Sequence, residues 1–369
     1  MNSNDHAWMA RALQLARKGL YSTHPNPRVG CVIVKDGQLL GEGWHVRAGE
    51  PHAEVHALRQ AGERARGATA YVTLEPCSHH GRTPPCAEAL VEAGVGRVVA
   101  AMQDPNPQVA GRGLARLRSV GIEVASGVVE NEARALNAGF VKRMETGLPL
   151  LRAKLAMSLD GRTAMASGES QWITGPAARA EVQRLRAQSS VVLTGANTVL
   201  MDNARLTVRA AELGLDDELT ALAMQRPPLR VLVDGRLRVP LDAPFFQAGS
   251  ALVAGTGDEQ AASYQAAGHE LLALASDLGR VDLRRLLVEL ANRGANEVLL
   301  EAGPRLAGAF AALGLIDEYQ IFVAAKFLGS SARPLLDLPL ARMSEAPEMK
   351  IEDIRAIGDD WRIVARPVC

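Results

Sequence analysis

The sequence predicts an α/β protein of two consecutive domains, each built on a mostly parallel sheet with helices on both faces. Short runs rich in Val, Ile, Leu and Ala alternate with amphipathic helical segments along most of the chain, which is typical of strands joined by helical crossovers. The pattern restarts after the turn-forming segment 145–149. Because 369 residues suffice for two domains of ordinary size, we expect domains at 1–147 and 148–369.

The composition argues against several classes of protein. Hydrophobic residues make up 47% and charged residues 22% of the chain, as in soluble globular proteins. The 41 basic and 41 acidic residues give a net charge of zero, whereas proteins that bind nucleic acid usually present a strongly basic face. Segment 1–6 is polar, and no apolar run reaches the roughly 18 residues that span a bilayer. We therefore expect a cytoplasmic protein without a nucleic-acid or membrane partner.

In the first half, turn and helix signals bound the predicted elements. Gly19 ends the first helix, the pair Asp36-Gly37 forms a hairpin turn, and Pro51 suits the first position of the next helix. Strands are predicted at 30–34, 38–43, 69–74, 97–102 and 122–125. Helices are predicted at 6–18, 51–66, 85–94, 111–120 and 130–143.

The second half continues the alternation of strands and helices. Strands are predicted at 150–157, 190–194, 229–233, 251–254, 296–300, 318–324 and 361–366. Helices are predicted at 176–187, 282–292 and 303–313, with a polar loop at 160–170. No Gly-x-Gly-x-x-Gly follows a strand in 148–369, so the Rossmann dinucleotide fingerprint is absent from this half.

The first half carries a candidate catalytic zinc site. His52, Cys77 and Cys86 are ligands of the types that catalytic zinc takes, and three of them leave one coordination position for water. Cys86 opens a predicted helix, whose positive end stabilises a thiolate, and His52 is expected in the first turn of another helix. Glu54 is the candidate acid and base that moves protons from water to the substrate nitrogen and the leaving ammonia.

The spacing of Cys77 and Cys86 differs from that in the usual signature of zinc deaminases. Zinc deaminases usually combine His-x-Glu with Pro-Cys-x-x-Cys, but here eight residues separate Cys77 from Cys86. On the residues alone, the two cysteines could still be packed thiols, or a structural zinc pair completed by His79 or His80.

Three segments resemble one enzyme family. They are Thr-His-Pro-Asn-Pro-Arg-Val-Gly (23–30), Gly-Trp-His (43–45) and Pro-Cys-Ser-His-His-Gly-Arg-Thr-Pro-Pro-Cys (76–86). They closely resemble the deaminase half of bifunctional riboflavin-biosynthesis enzymes, in which a diaminohydroxyphosphoribosylaminopyrimidine deaminase is fused to a 5-amino-6-(5-phosphoribosylamino)uracil reductase. The resemblance implies a cytidine-deaminase-like α/β/α sandwich for the first domain.

The resemblance also implies roles for residues of this domain. Glu54 would be the acid and base, and Asn26 would hydrogen-bond to the pyrimidine edge, although Asn26 could also be a turn residue before Pro27. One zinc ion per chain would be held by His52, Cys77 and Cys86. We add the hypothesis that the substrate phosphate or ribose is held by His79, His80 and Arg82.

The second half resembles the reductase part of the same family. The matching segments are Lys-Leu-Ala-Met-Ser-Leu-Asp-Gly (154–161), Trp-Ile-Thr-Gly (172–175), Thr-Gly-Ala-Asn-Thr (194–198), 202–209 and Leu-Glu-Ala-Gly-Pro (300–304). They imply a dihydrofolate-reductase-like α/β domain that uses NADPH. The segment 202–209 departs from the family's usual Asp-Asp-Pro-Arg-Leu.

The resemblance implies two sets of contacts in the second domain. The NADPH contacts would be Ala156, Trp172, Thr198, Asp202, Gly303, Pro304, Arg305, Leu306, Ala307, Gly308 and Ala309. The substrate contacts would be Ser170, Arg186, Leu206, Arg209 and Glu301, where the two arginines offer forked donors that fit a phosphate. We add Lys154, a scarce lysine on the opening strand, as a group that holds the sugar. On residue type alone, Trp172 could be a core residue and Asp202 a turn cap.

The implied reaction has two steps. The phosphorylated pyrimidine 2,5-diamino-6-(5-phosphoribosylamino)pyrimidin-4-one is deaminated by hydrolysis, and NADPH then reduces the ribosyl chain to ribityl. The resemblance also implies a homodimer formed through the second domain. One alternative is a zinc nucleoside or tRNA deaminase fused to an unrelated α/β domain, although neither half has the basic face that tRNA would favour. The other is a zinc-stabilised scaffold without enzymatic activity, which predicts a closed four-ligand metal site.

Overall fold

The computed structural model describes residues 3–78, 85–107 and 109–368. The chain divides into two compact units, Met1–Leu148 and Pro149–Cys369. The division falls in the segment where the sequence pattern restarts. Among the described residues, no helix combines the length and the apolar character that crossing a membrane requires.

The first unit is built on one mixed sheet. Its strands are β1 (Gly30–Lys35), β2 (Gln38–Trp44), β3 (Thr69–Val72), β4 (Arg97–Ala100) and β5 (Glu123–Ser126). The strand order is β2-β1-β3-β4-β5. Strands β3, β4 and β5 are parallel, but β1 is antiparallel to both of its neighbours. The prediction of parallel strands is therefore correct for β3 to β5, and the hairpin predicted at Asp36-Gly37 is confirmed as the antiparallel pair β1–β2.

Helices cover both faces of this sheet. They are α1 (Ser3–Arg17), α2 (Ala53–Ala61), α3 (Cys86–Glu92), α4 (Arg112–Ser119), α5 (Glu130–Leu136) and α6 (Ala138–Thr146). Helices α2, α3 and α4 bury Ala57, Leu90 and Leu117 against one face. Helices α1, α5 and α6 contribute Met9, Ala133 and Val141 to a second core on the other face. The result is the α/β/α sandwich that the sequence predicted.

Two predicted helices of this unit differ from the structure. Helix α2 begins at Ala53 rather than at Pro51, and a 3-10 turn at Gly62–Ala65 follows it. The helix predicted at 130–143 is broken at Asn137. The Asn137 amide accepts from the backbone N–H of Arg28 at 2.8 Å and donates to the Arg28 carbonyl at 2.9 Å. A side chain committed to a distant loop in this way interrupts the helix, which periodicity alone does not reveal.

The second unit contains a larger, mostly parallel sheet. Its main strands are β6 (Leu150–Ser158), β8 (Val191–Gly195), β9 (Leu229–Val233), β10 (Leu252–Gly255), β11 (Glu270–Ala273), β12 (Glu297–Leu300), β13 (Glu318–Ala324), β15 (Met349–Ile357) and β16 (Asp360–Pro367). Their order is β11-β10-β9-β8-β12-β6-β13-β16-β15, and only the pairs of β16 are antiparallel among these described strands. A separate pair joins β7 (Arg162–Ala164) to β14 (Arg333–Pro334).

Helices follow most of the parallel strands. They are α7 (Pro176–Gln188), α8 (Ala196–Asp202), α9 (Asp217–Gln225), α10 (Pro244–Gln247), α11 (Ala261–Ala266), α12 (Leu283–Asn292) and α13 (Pro304–Ala312). Strands β8 and β12 are continuous buried runs of Val and Leu, as expected at the centre of a parallel sheet. The sequence did not predict β11, β15 or helices α8 to α11. Strand β15 lies at a sheet edge with most of its residues exposed, and a shift of register between Ile351 and Asp353 interrupts its apolar alternation.

A buried ion pair fastens α1 to the sheet of the first unit. Asp5 is only 1% exposed. It accepts from both terminal nitrogens of Arg97 at 2.7 and 3.2 Å and from the Tyr71 hydroxyl at 3.0 Å. Burial and the bond to Asp5 raise the pKa of Tyr71 to about 12, so this hydroxyl remains a donor near neutral pH.

We predict that Asp5→Asn destabilises the first unit by about 2 kcal/mol, because Arg97 and Tyr71 lose a buried ionised acceptor. Hydrogen exchange of peptides from β3 and β4, read by mass spectrometry, measures the loss. The control is Arg11→Ala, which removes an exposed ion pair with Glu42 and should cost less than about 1 kcal/mol. Equal losses in the two variants would contradict the prediction.

Candidate active sites

Three predicted zinc ligands meet in the first unit. The candidate ligand atoms of His52, Cys77 and Cys86 all lie within 4.8 Å of one another. His52 Nδ1 is 3.1 Å from Cys86 Sγ and 3.6 Å from Cys77 Sγ. Three such donors at this spacing fit a tetrahedral zinc ion with one open position.

The pKa values of Cys77 and Cys86 are also consistent with a cation binding between the two sulfur atoms. The Cys86 thiol and its backbone N–H both hydrogen-bond to Cys77, and they lower the pKa of Cys77 to about 4. The bond to Cys77, together with burial, raises the pKa of Cys86. The pair therefore supports one thiolate by itself. A divalent cation would stabilise the second thiolate charge.

His52 and Glu54 reach the same place because of the way α2 begins. His52 was expected in the first helical turn, but it is the residue before the helix and has extended backbone angles, φ −74° and ψ 167°. Residues two apart on a helix do not share a face. Because His52 is extended and lies outside the helix, its side chain and that of Glu54 can point to the same place. Within the described residues, Glu54 is 3% exposed and its buried Oε2 has no hydrogen-bond partner. Burial raises the pKa of Glu54.

The structure adds His45 to this site. Its Nδ1 is 3.3 Å from the Pro51 carbonyl oxygen, and its Nε2 is 3.0 Å from Asn26 Nδ2. Burial lowers the pKa of His45 to about 4, so the neutral ring donates to Pro51 and accepts from Asn26. The His45 and His52 rings meet edge to face at 5.2 Å. In the sequence, His45 belongs to the Gly-Trp-His segment that resembles the family, but no role for this histidine was predicted.

Part of the predicted first site cannot be placed. His79, His80 and Arg82, expected near the substrate phosphate or ribose, lie outside the described residues. The same holds for the alternative of a structural zinc site completed by one of these histidines.

The second unit contains a cavity of about 2150 Å³. It opens at the carboxyl ends of β8, β9 and β12, the edge where ligands bind in open α/β sheets. It is lined by all the substrate contacts predicted for the second domain, Lys154, Ser170, Arg186, Leu206, Arg209 and Glu301. It is also lined by most of the predicted NADPH contacts, Ala156, Trp172, Thr198, Asp202, Gly303, Pro304, Arg305, Leu306 and Ala309.

Two predicted NADPH contacts do not line this cavity. Ala307 is fully buried in the interior of the unit. A Cβ added to Gly308 would lie 2.1 Å from the carbonyl oxygen of Asp337. Both therefore lie on the face of α13 that packs inward, whereas the start of the helix borders the cavity.

A buried ion pair occupies one wall of the cavity. Arg186 binds both carboxylate oxygens of Glu301, at 2.5 and 2.9 Å, and donates to the Thr207 carbonyl at 3.0 Å. Burial alone would raise the pKa of Glu301, but the Arg186 charge and hydrogen bonds lower it below its usual range. Burial lowers the pKa of the nearby Lys154. The fork of Arg186, expected to face a phosphate, is thus largely engaged by Glu301, whereas Arg209 remains exposed.

Trp172 lies at the cavity, and its exposure decides between the two roles that the sequence left open for it. Trp172 is 59% exposed, so it is not a core residue. The Arg179 guanidinium lies 4.7 Å from the centre of its ring. Asp202 accepts from the Ser170 hydroxyl at 2.9 Å, which links a predicted cofactor contact to a predicted substrate contact.

The sequence reasoning missed one end of the cavity. The loops after β9, β10 and β11 line it with Gly235, Arg236, Arg238, Thr256 and Arg280. Their sequence signal was weak, because single glycines and arginines in loops after strands are common in any α/β domain.

Comparison with known proteins identifies the family. Residues 149–363 match the RibD C-terminal domain, and residues 2–102 match the cytidine and deoxycytidylate deaminase zinc-binding region. The chain is 55% identical to riboflavin biosynthesis protein RibD of Escherichia coli (strain K12) over 361 residues, covering 96% of this chain and 97% of that protein. The chain belongs to the RibD family. Haemophilus influenzae RibD is 46% identical, with 99% of this chain and 98% of that protein covered.

Solved RibD structures have the same fold. Acinetobacter baumannii RibD, form 1, gives a TM-score of 0.90 at 49% identity, with 99% of both chains covered. The Thermotoga maritima diaminohydroxyphosphoribosylaminopyrimidine deaminase/5-amino-6-(5-phosphoribosylamino)uracil reductase gives 0.85 at 35% identity, again over 99% of both chains.

Membership of the RibD family confirms the resemblance and the two-domain α/β fold class predicted from the sequence. The chain is a bifunctional enzyme of riboflavin biosynthesis, with a zinc-binding deaminase domain and a reductase domain. An unrelated second domain is excluded, because residues 149–363 match the RibD C-terminal domain. A scaffold without enzymatic activity is also excluded, because the chain belongs to a family of bifunctional enzymes.

We predict that Arg186→Gln lowers the stability of the second unit by about 3 kcal/mol at pH 7, because it leaves a buried carboxylate without its partner. The loss should shrink as the pH falls from 7 towards about 4. In the parent, the lowered pKa of Glu301 supplies stability that is lost only as the pH falls through that pKa. In the variant, Glu301 takes up a proton at higher pH, which relieves the penalty.

Scanning calorimetry at several pH values measures this difference between parent and variant. Arg209→Gln is the control, since Arg209 lines the same cavity but is exposed and pairs with Glu212. A loss in Arg186→Gln that does not change with pH would contradict the prediction.

Proposed function

We propose that the first unit deaminates 2,5-diamino-6-(5-phosphoribosylamino)pyrimidin-4-one by hydrolysis, and that the second unit reduces the ribosyl chain of the product to ribityl with NADPH. The observation that carries the proposal is the convergence of His52, Cys77 and Cys86 beside the buried, unpartnered oxygen of Glu54. The two activities in the name of the Thermotoga maritima relative support it.

In the first unit, His52, Cys77 and Cys86 would hold zinc. When bound, zinc supplies a Lewis acid that makes water a nucleophile near neutral pH. Glu54 takes one proton from the attacking water and gives it to the ring nitrogen, and it then carries the second proton of that water, from the new hydroxyl group, to the leaving ammonia. Its raised pKa suits a carboxyl group that must hold each proton between its removal and its delivery.

Asn26 would bind the edge of the pyrimidine ring. Its Nδ2 is engaged by His45, which leaves the amide oxygen free to accept from an amino group of the substrate. His45 stays neutral near pH 7 because its pKa is about 4, so the orientation of the Asn26 amide does not change with pH in that range.

In the second unit, NADPH would supply the hydride. Arg186 and Glu301 fix one wall of the cavity, and Lys154 lies where Glu301 attracts it. We propose that Lys154 holds the opened sugar and that the exposed Arg209 binds the substrate phosphate. The cofactor would contact the residues at the start of α13 together with Trp172, Thr198 and Asp202.

A coupled assay tests the proposed function. NADPH absorbance is followed with the phosphorylated diaminopyrimidine, with its deaminated product, and with neither. We expect consumption with the product at once, and with the diaminopyrimidine only after ammonia release. No consumption with either compound would refute the proposed reductase substrate. Homodimer formation through the second unit and a cytoplasmic location stay predictions.

We predict that Glu54→Gln lowers the rate of ammonia release by about 1000-fold, because the amide cannot carry the proton. Zinc content and reduction of the deaminated product should not change. Glu63→Gln, on the exposed turn after α2, is the matched control and should deaminate like the parent. A Glu54→Gln variant as fast as the parent would rule out this role.

We predict that Lys154→Ala lowers kcat/KM for reduction by about 100-fold, because one positioned donor to the substrate is lost. Ammonia release by the first unit is measured in the same preparation and should be unchanged. Lys350→Ala, on the exposed edge strand β15, controls for the loss of a lysine. If Lys154→Ala reduced the substrate as well as the parent, the assignment would be wrong.

A further inference from the structure

Glu75 lies two residues before the ligand Cys77 and is buried without taking part in the chemistry proposed above. Its carboxylate accepts four backbone N–H groups. Oε2 accepts from Asp104 at 3.1 Å and Gly111 at 2.9 Å, and Oε1 accepts from Gly113 at 2.8 Å and Leu114 at 3.2 Å. A buried carboxylate is costly unless such donors satisfy it.

Most of these donors belong to the start of α4. The residue before this helix is Gly111, in the left-handed region at φ 77°, and it has no side chain with which to cap the helix. Glu75 supplies the missing cap from another part of the chain, and its negative charge lies at the positive end of the helix. The bond to Asp104 also fastens the segment that follows β4.

The backbone next to Cys77 touches the same helix. A Cβ added to Gly113 would lie only 1.9 Å from the Pro76 carbonyl oxygen. The first turn of α4 therefore packs directly on Pro76, between Glu75 and the metal ligand. Cys77 is held from its other side by α3, where its carbonyl accepts from Ala87 at 3.1 Å and its Sγ accepts from Cys86 at 3.3 Å.

We propose that Glu75 is a positioning residue for the metal ligand Cys77. By capping α4 it fixes the segment Glu75–Cys77 against a rigid element, and this fixes Sγ of Cys77 relative to His52 and Cys86. Outer groups that orient metal ligands commonly set metal affinity. The inference rests on the proposed zinc site and extends it to a residue that touches neither metal nor substrate.

A purely structural role would give a different result, and Asp5 provides the comparison. Asp5 is also a buried carboxylate of the first unit, and it binds Tyr71 and Arg97, which lie outside the segment Glu75–Cys77. Asp5→Asn should therefore lower stability without affecting the metal. Glu75→Gln keeps the side-chain shape but turns an NH2 group towards two backbone donors.

The experiment uses the full chain loaded with zinc and measures zinc release to an excess of a chromogenic chelator. We expect Glu75→Gln to release zinc about 10- to 100-fold faster than the parent, and Asp5→Asn to release it at the parental rate. After replacement of zinc by cobalt, the thiolate-to-cobalt absorption should shift in Glu75→Gln alone. The reductase activity of the same chain should be parental in every variant.

Parental zinc release and cobalt absorption in Glu75→Gln, with a loss of stability like that of Asp5→Asn, would overturn the proposal. Zinc in the parent at one ion per chain is measured first. A parent without zinc overturns the proposed site and this inference together, whereas a zinc-bound parent with an unaffected variant overturns only the role of Glu75. If Glu75→Gln does not fold, Glu75→Asp, which keeps the charge on a shorter side chain, is judged by the same criteria.

Discussion

The deaminase unit depends on the way backbone amides hold the loop after β3. Two helices begin beside this loop, and each directs N–H groups at a negative group within it. The start of α3 donates to the sulfur of Cys77, and the start of α4 donates to the carboxylate of Glu75. Helix N-termini stabilise negative charge, so this loop can hold a buried carboxylate and a half-buried thiolate. The geometry of the ligand Cys77 thus follows from the placement of two helices.

The reductase unit depends on a different constraint, the pairing of buried charge. Arg186, Glu301 and Lys154 lie together on the wall of the cavity, and two of them form a forked ion pair. Charges taken out of water are costly unless they are paired, which explains why Glu301 uses both oxygens on Arg186. Arg186 and Glu301 offset each other's charge, and Lys154 adds a hydrogen-bond donor beside this pair, which suits the phosphorylated substrate and the anionic cofactor proposed for the cavity.

The sequence predicted what is local and missed what depends on distant partners. His52, Cys77 and Cys86 could be predicted because residue type, spacing and the start of a helix are all written in one short window. The break at Asn137 could not, since the partner Arg28 is 109 residues away. The engagement of Arg186 could not either, because Glu301 lies 115 residues away and an arginine in isolation equally fits a phosphate. Edge strand β15 was missed because a shift of register between Ile351 and Asp353 interrupts its alternation of apolar and polar residues.

Glu54 of the first unit and Glu301 of the second are two buried carboxylates held in opposite ways, and the difference matches the chemistry of their units. Within the described residues, Glu54 has a buried oxygen without a partner, and burial raises its pKa. Glu301 is held by both sides of an arginine fork, its pKa is lowered, and it stays ionised near neutral pH. Hydrolytic deamination needs a group that gains and loses a proton, whereas hydride transfer needs a fixed electrostatic frame around the cofactor. The state of the two carboxylates therefore agrees with a deaminase domain in the first unit and a reductase domain in the second.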